Sequence, residues 1–166
     1  MKRRILRIVV AMMLVTALGI VALAQIRLDA LQEPSRFEIA LATRAKHILI
    51  RRSSQEGIPP APTNRQASIE EGDKLFGTEC GACHGLDGNK LTDAGRWMYP
   101  RAAQLASHEV QQYSDRELFW IVKNGIRLSG MPAFAKVESD EHIWNLVHYV
   151  KTLPRSTDSK SGGTPN

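Results

Sequence analysis

The chain carries three distinct hydrophobic patterns. From Ile8 to Ile26 nineteen residues pass without a charge, and only Thr16 and Gln25 are polar. Lys2, Arg3, Arg4 and Arg7 precede the run. A basic start followed by such a run is an export or anchor segment, with its positive end left in the cytoplasm. Ala22-Leu23-Ala24 has the small-x-small form of a cleavage site, which would make Met1 to Ala24 a removed signal peptide. The run also approaches the length that crosses a bilayer, and it exceeds a usual signal core, so a retained anchor is the preferred expectation. Either way the remainder is expected outside the cytoplasm, on the periplasmic side.

The second pattern has helical spacing. Pro34 to Arg52 opens with Ser35-Arg36-Phe37-Glu38, a capping-box sequence. Phe37, Leu41, Ala45, Ile48 and Leu49 share one face, while Arg36, Arg44, Lys46, Arg51 and Arg52 crowd elsewhere. That face is expected to pack on the next domain, on a membrane surface or on a partner, and the three readings stay open. Ile58 to Gln66, with Pro59, Pro60 and Pro62, reads as a stiff extended linker.

The third pattern is a set of short capped helices. Ser68-Ile69-Glu70-Glu71 reads as a capping box for a helix running into Cys80. Ser114-Asp115-Arg116-Glu117 opens a helix stopped by Gly125, and Ser139-Asp140-Glu141 opens one ended by Pro154. The last carries the stripe Ile143, Leu146, Val147, Val150 and Leu153. Residues 85–107 are loop-rich, no stretch alternates as a strand would, and 156–166 read as a disordered tail. The expected layout is a signal or anchor segment over 1–33, an amphipathic helix over 34–57, a linker over 58–66, an all-α domain over 67–155 and a tail over 156–166.

Charge sharpens this division. Residues 1–65 hold 11 Lys or Arg against 4 Asp or Glu, whereas residues 66–155 hold 10 against 12. The basic character belongs to the membrane-proximal third, which argues against a nucleic-acid-binding domain.

The chain's only two cysteines stand in Cys80-Gly81-Ala82-Cys83-His84. Cys-x-x-Cys-His is the attachment signature of c-type haem: each thiol forms a thioether, and the histidine ligates iron from below. One helical turn presents both sulfurs along one porphyrin edge. A redox dithiol would sit in a βαβ context, and structural zinc would require a fourth ligand. Neither is visible. A domain of about 90 residues has a thin core, and a buried cofactor would complete it.

Iron needs a sixth ligand or an open site. The candidates are Met98, Met131, His108, His142 and His148. Met131 lies in Ser129-Gly130-Met131-Pro132, where glycine permits close approach and proline fixes the path. It stands 47 residues after His84, past an intervening helix, so the chain has room to cross to the other haem face. Met98, 14 residues after His84, would need a tight wrap. His142 and His148 are expected to be solvent-facing or partly packed. Trp97, Tyr99, Trp120 and Trp144 are expected in haem packing or core, and Arg101 and Arg127 are candidate partners of the haem propionates.

These residues resemble the class I (mono-haem) cytochromes c over about Ala67 to Leu153. Gly72 and Phe76 stand eight and four residues before Cys80, as in the family's N-terminal helix. Tyr149 matches the aromatic of its C-terminal helix, and Ser129-Gly130-Met131-Pro132 matches its methionine-ligand loop. The resemblance implies that the two helices cross with Gly72 against Tyr149. The family's Pro-x-Leu, whose proline carbonyl accepts from the proximal histidine, is matched by Ala103-Gln104-Leu105, with Pro100 as an alternative placement.

The expected function is electron transfer through one covalent haem c with its iron held by His84 and Met131, in transient contact with a redox donor and acceptor. A haem subunit of a membrane dehydrogenase or oxidase is the alternative. A sensor or peroxidase-like enzyme with a displaceable sixth ligand is the alternative of another class. No nucleotide loop, nucleophile triad or second haem motif is present.

Overall fold

A computed structural model describes residues 2–24 and 34–153. Among these residues the fold is all-helical, with no strand. Residues 25–33, expected to be juxtamembrane, and residues 154–166, with Pro154 and the expected tail, lie outside the described residues. The chain divides into two compact units, Met1–Glu33 and Pro34–Asn166.

The first unit holds α1, Lys2–Ala24, long and apolar enough to cross a membrane. The second begins with α2, Arg36–Ser53, whose N-cap Ser35 accepts from the Glu38 N–H. Then follow α3 (Arg65–Glu79), α4 (Gly81–His84), α5 (Asp93–Trp97), α6 (His108–Gln111), α7 (Asp115–Asn124) and α8 (Asp140–Val150). A 3-10 turn at Phe134–Lys136 precedes α8.

The main packing is between α3 and α8. A Cβ at Gly72 would lie 2.9 Å from the Tyr149 Cβ and inside the Asn145 carbonyl, so the α3 backbone meets the α8 backbone and the base of Tyr149 there. The Phe76 and Tyr149 rings meet beside it in a tilted contact, their centroids 5.0 Å apart. The expected stripe Ile143, Leu146, Val147, Val150 and Leu153 is buried throughout. Phe119 of α7 completes the core against Trp144, with ring centroids 4.6 Å apart.

Several helix boundaries differ from expectation. Ser68 does not cap α3: Asn64 does, its side chain accepting from the Ala67 N–H, and the helix starts at Arg65. The Ser68 hydroxyl is used across the helix crossing instead, donating to Asn145 Oδ1. The Ser114–Glu117 capping box and the Gly125 stop of α7 are both present. Helix α8 starts after Ser139 but ends at Val150, before Pro154 is reached. Residues 58–64 are extended but not free, because Ile58 packs on the core and the Trp144 indole donates to the Pro59 carbonyl at 3.2 Å. The short helices α5 and α6 went unread, although Thr92 and Ser107 each cap one.

Helix α2 packs on α7 with an unexpected face. Ile50 is buried, His47 stacks on Tyr113 at 4.6 Å, and Lys46 pairs with Glu109 at 3.0 Å. The stripe from Phe37 to Leu49 points away.

Candidate functional site

The two cysteines and His84 occupy one helical turn. Cys80 closes α3 by donating its N–H to Phe76 O at 2.9 Å, and the His84 N–H returns to Cys80 O at 3.0 Å. Both thiols are free and half-buried. Burial, with the charge of Glu79 next, pushes the Cys80 thiol up to about 12. Among the described residues no three His, Cys, Asp or Glu side chains converge as a metal-ion cluster, whereas structural zinc takes four ligands.

Beneath this turn the loop folds back as a cradle. The Thr92 hydroxyl donates to Ala82 O at 2.6 Å, and Gly95 approaches the Cys83 carbonyl so closely that a Cβ would overlap it. The Leu105 N–H reaches Gly88 O at 2.8 Å and the Ala102 N–H reaches Gly95 O at 2.9 Å. The result places the Ala103 carbonyl 2.7 Å from Nδ1 of His84. A carbonyl only accepts, so Nδ1 carries the hydrogen and Nε2 keeps its lone pair. Burial lowers the pKa of His84, opposed by the Ala103 bond. Of the two placements considered for this carbonyl, Ala103-Gln104-Leu105 is the one observed. Thr92, Gly88 and Gly95 were missed as positioning residues; the Thr92-x-x-Gly95 cap was the available signal.

The second loop is closed on itself. After α7, Gly125 turns at φ 66°, where its Cβ would lie 2.7 Å from the Met131 carbonyl oxygen. The Ile126 N–H donates to Met131 O at 3.3 Å. The Ser129 hydroxyl donates to Ile126 O at 2.7 Å and accepts from the Met131 N–H at 3.2 Å. Met131 is thus pinned at both its backbone polar atoms. Met98 also reaches this loop: a Cβ on Gly130 would sit 2.5 Å from its sulfur. Met98 directly follows α5, so the chain reaches this loop within 14 residues of His84.

The remaining candidates separate. Arg101 and Arg127 are exposed, two residues before Ala103 and four before Met131. His108 is exposed on α6, and His142 is exposed and 2.7 Å from Glu138. His148 is not solvent-facing: it is buried, with Nδ1 2.8 Å from Ser68 Oγ. Trp144 is core and Trp120 half-buried, whereas Trp97 and Tyr99 lie on the surface.

A family described as cytochrome c oxidase, cbb3-type, subunit III matches residues 67–150, half of the chain. The chain belongs to this family of c-type cytochrome domains. A thiosulfate dehydrogenase from Allochromatium vinosum is 32% identical over 101 residues, covering 60% of this chain and 36% of that protein. The cytochrome therefore spans about a third of that relative's length. A solved chain of the Kuenenia stuttgartiensis reducing HAO-like protein complex Kustc0457/Kustc0458 aligns with a TM-score of 0.49 and 27% identity, over 59% of this chain and 48% of that one.

Membership carries covalently bound haem c with iron, and the role of an electron carrier. The local chemistry fits such a group: two free thiols stand one turn apart, beside an imidazole whose Nδ1 is already committed.

Proposed function

We propose that the cytochrome is a membrane-tethered periplasmic electron shuttle whose iron is held by His84 and Met131. The observation that carries this reading is the pairing of two fixed donors. The His84 ring is set by Ala103, and the Met131 backbone is set by Ser129 and Ile126. Cys80 and Cys83 would hold the porphyrin edge as thioethers, and Arg101 and Arg127 would pair with propionates. When attached, the group supplies a one-electron Fe(III)/Fe(II) couple, and a thioether ligand favours the ferrous form. Two pre-set ligand loops keep rearrangement small between the two states. The tether is α1, whose apolar run spans a bilayer's hydrocarbon thickness.

The test is the absorption spectrum of the oxidised holoprotein. The far-red sulfur-to-iron band is expected in the native protein and lost in Met131→Ala, with CO binding to the reduced variant only. A native protein without the band, or one that binds CO undenatured, would return the displaceable-ligand reading.

A second reading is a haem subunit of an oxidoreductase complex. It is favoured by the subunit description of the matched family and the identity with a longer dehydrogenase. Co-purification with one large partner in mild detergent would select it.

A further inference from the structure

Helix α2 shows two opposite faces with different fates. At about 100° per residue, Leu41 stands opposite Ile50 on the helix wheel. The Ile50 side is fixed to the domain by the His47–Tyr113 stack, by the Lys46–Glu109 pair and by Arg116, which donates to Ser54 O and Gln55 O. The Leu41 side carries Phe37, Ala45, Ile48 and Leu49 within an arc of about 120°. Phe37 is 77% exposed, Leu41 59%, Ile48 60% and Leu49 62%. A clamped helix therefore displays a continuous apolar stripe outward. Of the three readings open for this stripe, packing on the neighbouring domain is not what occurs.

Charge and chain position say what covers the stripe. The helix holds five Lys or Arg and a single acidic residue, Glu38. Arg44 and Arg51 run along one edge of the stripe, and Arg52 closes its C-terminal end. The domain behind it is slightly acidic, so this one helix concentrates the positive charge of the unit. An apolar face bordered by arginines is the pattern of a helix lying in a lipid interface, with guanidinium groups at the phosphates and stems over the acyl boundary. Eleven residues of chain separate Ala24 from Arg36, and fully extended they reach about 40 Å. A bilayer spanned by α1 would be within that tether.

We propose that α2 lies on an anionic lipid surface, with Phe37, Leu41, Ala45, Ile48 and Leu49 in the acyl boundary and Arg44, Arg51 and Arg52 at the headgroups. The proposal rests on the tethered reading above. It adds that the domain is held to the bilayer by a second contact, so its orientation is set and not only its distance.

The experiment uses full-length holoprotein in phosphatidylcholine vesicles with and without phosphatidylglycerol. With Cys80 and Cys83 taken up as thioethers, one added cysteine is labelled alone. Spin labels at Leu41→Cys on the stripe and at Glu141→Cys, an exposed position in the first turn of α8, are compared for collision with oxygen and with a water-soluble nickel chelate. The stripe label should gain oxygen and lose nickel collisions several-fold relative to the α8 label, in anionic vesicles only. The combined Arg44→Glu, Arg51→Glu and Arg52→Glu variant should abolish the difference. Equal nickel access at both labels would overturn the proposal, as would equal insertion into neutral vesicles. Loss of both reagents at an immobilised label would assign the stripe to a second copy instead. Alkaline carbonate extraction of expressing cells reads the tether separately: release of the protein defeats α1 as an anchor without deciding the α2 result.

Discussion

The Ala103 carbonyl oxygen lies 2.7 Å from Nδ1 of His84, 19 residues away along the chain. This bond decides which imidazole nitrogen is available to a metal. It also makes the ring a stronger donor, as partners behind a metal-bound histidine do. The carbonyl, not the side chain, performs the task, which explains how alanine stands where relatives of class I carry proline.

Ala103→Pro is accordingly expected to be tolerated. Among the described residues the Ala103 N–H makes no hydrogen bond to a backbone oxygen, and a proline restricts the unfolded chain. Stability should be unchanged or rise by up to about 1 kcal/mol. Thermal unfolding and the far-red band measure it; a lost band would mean that the backbone at 103 cannot take the proline geometry.

The second loop depends on Gly125. Alanine there would have to adopt φ 66° and would bring its Cβ to 2.7 Å from the Met131 and Pro132 backbone. A positive φ alone costs about 1 kcal/mol for a residue with a Cβ. Gly125→Ala should therefore weaken the far-red band and open the reduced protein to CO, with a stability loss of about 1–3 kcal/mol. An unaltered band at native stability would show that the loop holds Met131 without this close approach.

Gly72→Ala addresses the helix crossing. The added methyl would meet the Asn145 carbonyl and Tyr149 on α8, and neither is a flexible side-chain end. Overpacking typically costs about 1–3 kcal/mol, and collision with a backbone belongs at the upper end. Urea unfolding of the holoprotein should show the loss, with the band position retained. Native stability would mean that the crossing opens without penalty.

Much of this was legible because local chemistry and tertiary role coincide. Ser114 and Gly125 bound α7 by their own turn preferences, and the apolar spacing from Ile143 to Leu153 faces the core. Gly72 and Tyr149 meet as the class I resemblance implies. Reading failed where one residue had two possible partners. Ser68 has the spacing of a helix cap, but its hydroxyl finds Asn145 and His148 on the opposite helix. The apolar spacing of Phe37 and Leu41 left domain, membrane and partner open, because the stacking of His47 on Tyr113 that turns the other face inward lies outside that pattern.

His148 supplies a pH-dependent term whose sign follows from its surroundings. The ring is 2% exposed, 5.7 Å from the Trp144 ring, and bonded through Nδ1 to Ser68. Ser68 has one proton, which it gives to Asn145, so Nδ1 of His148 carries the hydrogen. Burial, then the charge of Arg65, lowers the pKa of His148, against a smaller opposing effect of Asp115. Below the ordinary value of 6.5 the unfolded chain thus binds a proton more readily than the folded one. Stability rises with pH wherever the unfolded state holds more protons, so this term is fully present above 6.5 and is lost as pH falls toward the folded value. His148→Gln removes the term while keeping a polar group for Ser68. Between pH 7 and pH 5 the native protein should lose more stability than the variant, the carboxylates being common to both. Denaturant midpoints across that range provide the measurement, and parallel curves would show that His148 takes up its proton equally in the two states.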